Sequence, residues 1–153
     1  MKILDILTPE AIAPEMQAGS KTAALEELAA LVAGLHSEID RARLVEVLVE
    51  REALGSTAIG EGIAIPHGKL STVSGVIAAF GRSVRGLDFD SLDGHPTHLF
   101  FLLVAPEESA GIHLKALARV SRLLKEKSFR ERLCAGSTRE EIFTAFREED
   151  AKY

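Results

Sequence analysis

The sequence predicts an α/β fold: one domain, a three-layer sandwich in which helices cover both faces of a mixed β-sheet. Three observations carry that expectation. Leu25, Leu28, Leu31, Val32 and Leu35, then Leu44, Val45, Leu48 and Val49, recur at helical spacing in the first third of the chain. Val76 to Phe80 and Leu99 to Val104 are nearly unbroken apolar runs bounded by turn residues, the pattern of strands covered on both faces. Helical periodicity then returns near the C-terminus with Ile142, Phe143 and Phe146.

In chain order, a short amphipathic opening leads to Ser20, an N-cap for a helix from about 21 to 35 that Gly34 and His36 end. Asp40 caps a second helix that stops at Gly55, which puts Arg51 and Glu52 in its last turn. A Gly-rich passage follows. Ile63-Ala64-Ile65 is expected to be a buried strand, and Pro66, which cannot donate to a ladder, is expected to turn the chain just before His67. Leu87-Asp88-Phe89 alternates like a short edge strand, and Asp93-Gly94 with Pro96 supplies turn chemistry. Pro106 ends the last apolar run, Ser109 is placed to cap a helix over about 111–125, and Ser137 or Thr138 opens the final one. Glu148 to Tyr153 are expected to fray.

With 153 residues, 46% of them hydrophobic, the chain can bury one full-sized core but not two. Its 18 basic against 23 acidic residues give a net charge of −5, which argues against nucleic acid as a partner. Arg119, Arg122, Lys125, Lys127, Arg130 and Arg132 do cluster, and on a helix most of them would form a solvated face. The one cysteine, Cys134, precludes an internal disulfide and a thiolate zinc cluster, which fits a reducing cytoplasm. The N-terminus carries Asp5 within its first apolar run and has no small-residue cleavage site, and no apolar run is long enough to span a bilayer.

The chemistry concentrates at Gly62-Ile63-Ala64-Ile65-Pro66-His67-Gly68. A histidine at the mouth of an apolar segment, flanked by Gly60, Gly62 and Gly68, is displayed where a phosphate or another backbone can come close, although an idle histidine in a turn has the same local look. His113 falls within the first turn of the helix after Pro106, where free N–H groups and the dipole favour anions; packing is the alternative. Arg51 is either a helix C-terminal cation or a bidentate phosphate ligand. Ser56 and Thr57 are either phosphate donors or ordinary turn residues. Nucleotide motifs fail on spacing: Ile65 stands where a dinucleotide fingerprint needs glycine or alanine, and Leu70 where a P-loop needs Ser or Thr. His95 and His98 flank a Pro-Thr turn without acidic or cysteine partners and suit a surface turn better than a metal site.

Glu52, six residues, Ile59-Gly60, two more, then Ile63-Ala64-Ile65-Pro66-His67-Gly68 resembles the phosphorylation-site signature of the fructose, mannitol and nitrogen-type IIA proteins of the bacterial phosphotransferase system, the IIA type 2 fold. The resemblance runs from about Leu4 to Phe146. It implies that Nε2 of His67 accepts a phosphoryl group from a phosphorylated histidine phosphocarrier protein. It also implies that His113, whose neighbours Leu114-Lys115-Ala116-Leu117 resemble the second histidine motif, donates a hydrogen bond to that group, and that Arg51 lies near it. Backbone N–H groups near Gly68 and Lys69 would add donors. Neither cofactor nor metal is implied. Residues 52–62, and a chain that ends without a linker to IIB or membrane domains, look like the nitrogen-regulatory branch, whose phosphorylation state governs binding to regulatory targets. A free-standing fructose-type IIA that hands the group to a IIB domain is the alternative, and a non-enzymatic binding domain on the same fold a more distant one.

Overall fold

The computed structural model describes residues 1–153. After two 3-10 turns at Ile3–Asp5 and Pro9–Ala11, the elements are β1 (Ile12–Ala13), α1 (Lys21–Leu35), α2 (Arg41–Ala53), β2 (Ala58–Gly60), β3 (Ile63–Ala64), β4 (His67–Leu70), β5 (Ile77–Leu87), β6 (Thr97–Pro106), α3 (Ala110–Leu124), α4 (Lys127–Ala135) and α5 (Arg139–Asp150). The expected caps form at three helices: Ser20 accepts from the Ala23 amide at 3.2 Å, Asp40 from Ala42 at 3.3 Å and Thr138 from Glu141 at 3.1 Å. Ser109 holds the N-cap position of α3, but its hydroxyl donates to the Pro106 carbonyl and leaves the helix uncapped.

The six strands make one mixed sheet in the order β1-β5-β6-β3-β2, with β4 also paired to β6. β5 and β6 are antiparallel, whereas β1 runs parallel to β5 and both β3 and β4 run parallel to β6. Side-chain alternation divides the core into two layers. Phe80 and Phe101 face α4 and α5, where Phe146 contacts both, with ring centroids 5.0 and 5.7 Å away, and Phe129 at 5.2 Å. Gly81 faces Met16 and, on α1, Leu28, and Phe89 packs on Phe100 at 5.4 Å. One continuous cluster of 39 buried residues results. Helices on both faces of a mixed sheet are the architecture the periodicity predicts.

Several expectations are corrected. The chain does not turn at Pro66. Ile63 pairs with Leu99, Ala64 with Phe100 and His67 with Leu103, so the register with β6 is the same before and after the proline. Pro66 removes one donor and interrupts the ladder, but its carbonyl still accepts from Leu103 N at 3.0 Å and the strand resumes in the same lane. Residues 58–60, within the Gly-rich passage, form β2 antiparallel to β3. Leu87 is the end of β5, paired with Thr97 beyond a bulge, and not a separate edge strand.

The basic group is split between α3 and α4, and two of its six members are structural. Arg119 binds the buried Asp150 carboxylate through Nε at 3.0 Å and Nη2 at 2.6 Å. Arg130 donates to the last carbonyls of α3. Asp150 also accepts from the Leu4 amide at 3.3 Å, so Glu149 and Asp150 are buried parts of α5 where fraying was expected.

Candidate functional site

His67 opens β4, and its imidazole is held at both nitrogens. Nδ1 lies 2.8 Å from the Ile65 carbonyl oxygen, which can only accept, so Nδ1 carries the proton. Nε2 therefore presents a lone pair, and Nε–H of Arg51 donates to it at 3.3 Å. Arg51 is oriented in turn by its Nη1 donating to the Gly55 carbonyl at 2.9 Å, just past the end of α2. Burial pushes the His67 pKa below the usual imidazole value; the bond to Ile65 opposes this, the Arg51 charge adds to it, and the Glu52 charge opposes it. The ring is thus neutral near pH 7, as a nucleophile must be.

His113 stands across from it on α3, with ring centroids 5.3 Å apart and planes tilted by 52°. It is 7% exposed, its Nδ1 is buried without a partner, and its pKa is also lowered, by burial first and then by the charges of His67 and Lys69. Its amide already bonds Ser109 O, so the unpartnered N–H groups of the helix start are those of Ala110, Gly111 and Ile112, one turn before it. The structure brings His67, Arg51 and His113 together from β4, α2 and α3.

Strand alternation places Lys69, half-buried, on the same side as His67, while Gly68 faces α2. The glycines serve the protein's own packing. A Cβ on Gly68 would sit 2.5 Å from Val47 Cγ1, and one on Gly60 would sit 3.1 Å from Asp93 Oδ2. Gly60 and Gly62, at φ 102° and 77°, flank Glu61 at φ 58° in a turn whose Glu61 amide donates to Asp93. The amide of His95, the hydroxyl of Ser91 and that Glu61 amide hold the Asp93 carboxyl down to about 2.

Ser56 and Thr57 are committed away from any phosphate. The Ser56 hydroxyl donates to Phe89 O at 2.7 Å, and Thr57, buried, gives its hydroxyl and its amide to the Glu52 carboxylate. Glu52, to which sequence reasoning attached no task, is the acceptor at the centre of this corner. His98 bonds Ser83 O through Nδ1 at 3.0 Å, and no group of three or more His, Cys, Asp or Glu side chains is placed to hold a metal ion.

A neutral, tautomer-locked histidine facing an arginine and a second histidine has the chemistry for reversible attack on phosphorus. Residues 5–149 match the family described as phosphoenolpyruvate-dependent sugar phosphotransferase system, EIIA 2. The chain belongs to this family. Members of the EIIA 2 family are phosphotransferase components, and a role in phosphoryl transfer follows in general terms. The chain is 46% identical over 144 residues to a nitrogen regulatory protein of Bradyrhizobium diazoefficiens, with 94% of each chain covered. It is 37% identical over 150 residues to the fructose-specific EIIABC component of Bacillus subtilis, covering 98% of this chain and 24% of that one. Among solved structures, the nitrogen regulatory protein IIA-Ntr of Neisseria meningitidis superposes with a TM-score of 0.87 at 38% identity, covering 94% of this chain and 98% of that one. No helix of this family member is long and apolar enough to cross a membrane.

Proposed function

We propose that the chain is a phosphohistidine carrier of the nitrogen-regulatory kind, in which Nε2 of His67 takes a phosphoryl group from a phosphorylated histidine phosphocarrier protein and the resulting charge state governs binding to regulatory targets. One observation carries the chemistry: the Ile65 carbonyl holds the proton on Nδ1, so the Nε2 lone pair is the ring's only nucleophile. As the donor's P–N bond breaks, the P–Nε2 bond forms and the donor imidazole keeps the electron pair. The His67 ring becomes cationic, and the Ile65 carbonyl, already accepting Nδ1–H, stabilises that charge. Little proton movement is needed, because one imidazole replaces another. The protein supplies position and compensating charge for three equatorial oxygens. Arg51, which contacts Nε2 in the unmodified protein, can turn its guanidinium onto those oxygens, and His113 can donate through Nε2–H. The exposed side chains of Leu54, Ile112 and Leu114 adjoin Arg51 and His113 in sequence and offer an apolar rim for a docking carrier.

The relatives described as nitrogen regulatory proteins, at 46% and 39% identity, favour a regulatory end use. Identities of 37% and 35% to fructose-specific components keep the second reading, transfer onward to a IIB domain.

The test mixes the protein with labelled phosphoenolpyruvate, the system's first enzyme and a histidine phosphocarrier protein. Acid-labile, alkali-stable label is expected on the wild type and absent from a folded His67→Ala variant; equal labelling of both would overturn the assignment. Adding a IIB domain separates the two end uses. If label drains onto it and then to a sugar, while no other partner distinguishes the unmodified protein from His67→Asp, the transport reading holds.

A further inference from the structure

We propose that Glu52, with Lys21 as its counter-ion, is the positioning residue that sets both ring nitrogens of His67. The inference rests on the reading of His67 as phosphoryl acceptor and assigns a task to a side chain that never touches the phosphoryl group. The Glu52 side chain is only 5% exposed, and Lys21 Nζ lies 3.0 Å from its Oε1. Lys21 is itself held from the far side, 3.3 Å from Asp90 Oδ2 and 4.9 Å from the centroid of the Phe89 ring.

Two arms run from Glu52 to one imidazole, the first through its carboxylate and the second through its main chain. In the first, Oε1 accepts from the Thr57 amide at 3.1 Å and Oε2 from the Thr57 hydroxyl. The Thr57 carbonyl then accepts from Ile65 N at 3.0 Å, and the Ile65 carbonyl accepts from His67 Nδ1 at 2.8 Å. In the second arm, the turn that the Thr57 bonds fold back onto α2 begins at Gly55. Its amide bonds Glu52 O at 3.1 Å, and its carbonyl orients Arg51, whose Nε–H meets His67 Nε2. The first arm fixes which nitrogen is protonated, and the second fixes what faces the lone pair.

A carboxylate suits the position in both hydrogen bonding and charge. It accepts from an amide, a hydroxyl and an ammonium at once, whereas a glutamine would have to reverse the bond to the Thr57 hydroxyl and would leave Lys21 without its counter-charge. A buried carboxylate also needs its cation, which explains a lysine at the first position of α1, far from the reaction.

The deciding readout is the nitrogen-15 spectrum of the His67 ring in the intact protein, which reports the tautomer whether or not phosphoryl transfer occurs. Wild type is expected to show the Nδ1–H form alone. Glu52→Gln and Thr57→Val are expected to show a mixture with the Nε2–H form, and kcat for transfer from the phosphorylated carrier about tenfold lower with KM for the carrier little changed. Lys21→Met should move both quantities in the same direction by less, and Thr57→Ser, which keeps both donors, should restore wild-type behaviour. If Glu52→Gln does not fold, Thr57→Val decides. A folded variant of either kind with a pure Nδ1–H ring and wild-type kcat would overturn the proposal. Tautomer mixing in proteins that all fail to accept phosphate would support the positioning role while overturning the phosphoryl reading on which it was built.

Discussion

Gly68→Ala is the sharpest mechanical test of how the sheet and α2 share the site. The added Cβ would lie 2.5 Å from Val47 Cγ1, with Leu48 Cδ2 and Val47 Cβ both at 3.7 Å. Carbon atoms pack at about 3.5–4.0 Å, so the Val47 methyl must retreat by about 1 Å. A valine in a helix holds one χ1 rotamer, so the retreat falls on α2 itself. Overpacking of this kind costs about 1–3 kcal/mol. In a chain of this length that lowers Tm by roughly 2–12 °C. The functional loss should be larger than the thermal one suggests. Arg51 is one turn beyond Val47 on the same helix face, and its 3.3 Å bond to His67 Nε2 has no slack to absorb such a shift. The assay is a four-protein cycle of wild type, Gly68→Ala, Val47→Ala and the double variant, followed by thermal unfolding and by phosphoryl transfer from the carrier. The double variant should be more stable than the sum of the singles by about 0.5–3 kcal/mol and should recover transfer lost in Gly68→Ala. Strict additivity, or a Gly68→Ala protein with native transfer, would refute the steric argument.

Other consequences follow from the same geometry. His113→Ala removes one preorganised donor and should slow transfer by about 10²-fold while the carrier still labels His67, measured by rapid quench. Since burial lowers the pKa of both His67 and His113 below 6.5, the native state binds fewer protons than the unfolded chain just below that value. Stability should therefore fall as pH drops through the window beneath 6.5, a loss visible in urea midpoints at successive pH values and smaller in His113→Phe. Arg51→Ala takes away a charge that depresses His67, so nuclear magnetic resonance titration should find the His67 pKa raised, and transfer should fall more than in Arg51→Lys. Ser56→Ala breaks the bonds to Phe89 O and Ala58 N and should cost about 1 kcal/mol in unfolding free energy with transfer unchanged.

The sequence was most legible where the signal is local. Period-3.6 leucines marked α1 and α2, hydroxyl and carboxylate caps marked three helix starts, and the unbroken apolar run marked β6, the strand that β3, β4 and β5 all join. β1, β2 and β4 carry no legible sequence signal because each is two to four residues long and exists only through its partner strand. The continuation of the strand past Pro66 is hidden for the same reason. A proline's missing donor is local, whereas the direction of the strand is set by the pairing with β6 on either side of it.

At the site, residue types and local position offered His67, His113 and Arg51 with a turn, packing or capping alternative beside each, and it is the resemblance to the IIA signature and its second histidine motif that singles them out for phosphate chemistry. What the spacing left open was each side chain's orientation. Ser56 and Thr57 looked as available as any turn hydroxyls, and only the fold, by burying Thr57 against Glu52 and setting Ser56 under Phe89 O, committed them elsewhere. The tautomer of His67 and the 5.3 Å approach of His113 were likewise invisible in one dimension. The chain by itself determined which chemical groups were present and which elements would carry them. Tertiary structure alone decided what faces the Nε2 lone pair, because Arg51, 16 residues from His67 in the chain, and His113 become its neighbours only when α2, β4 and α3 close around one ring.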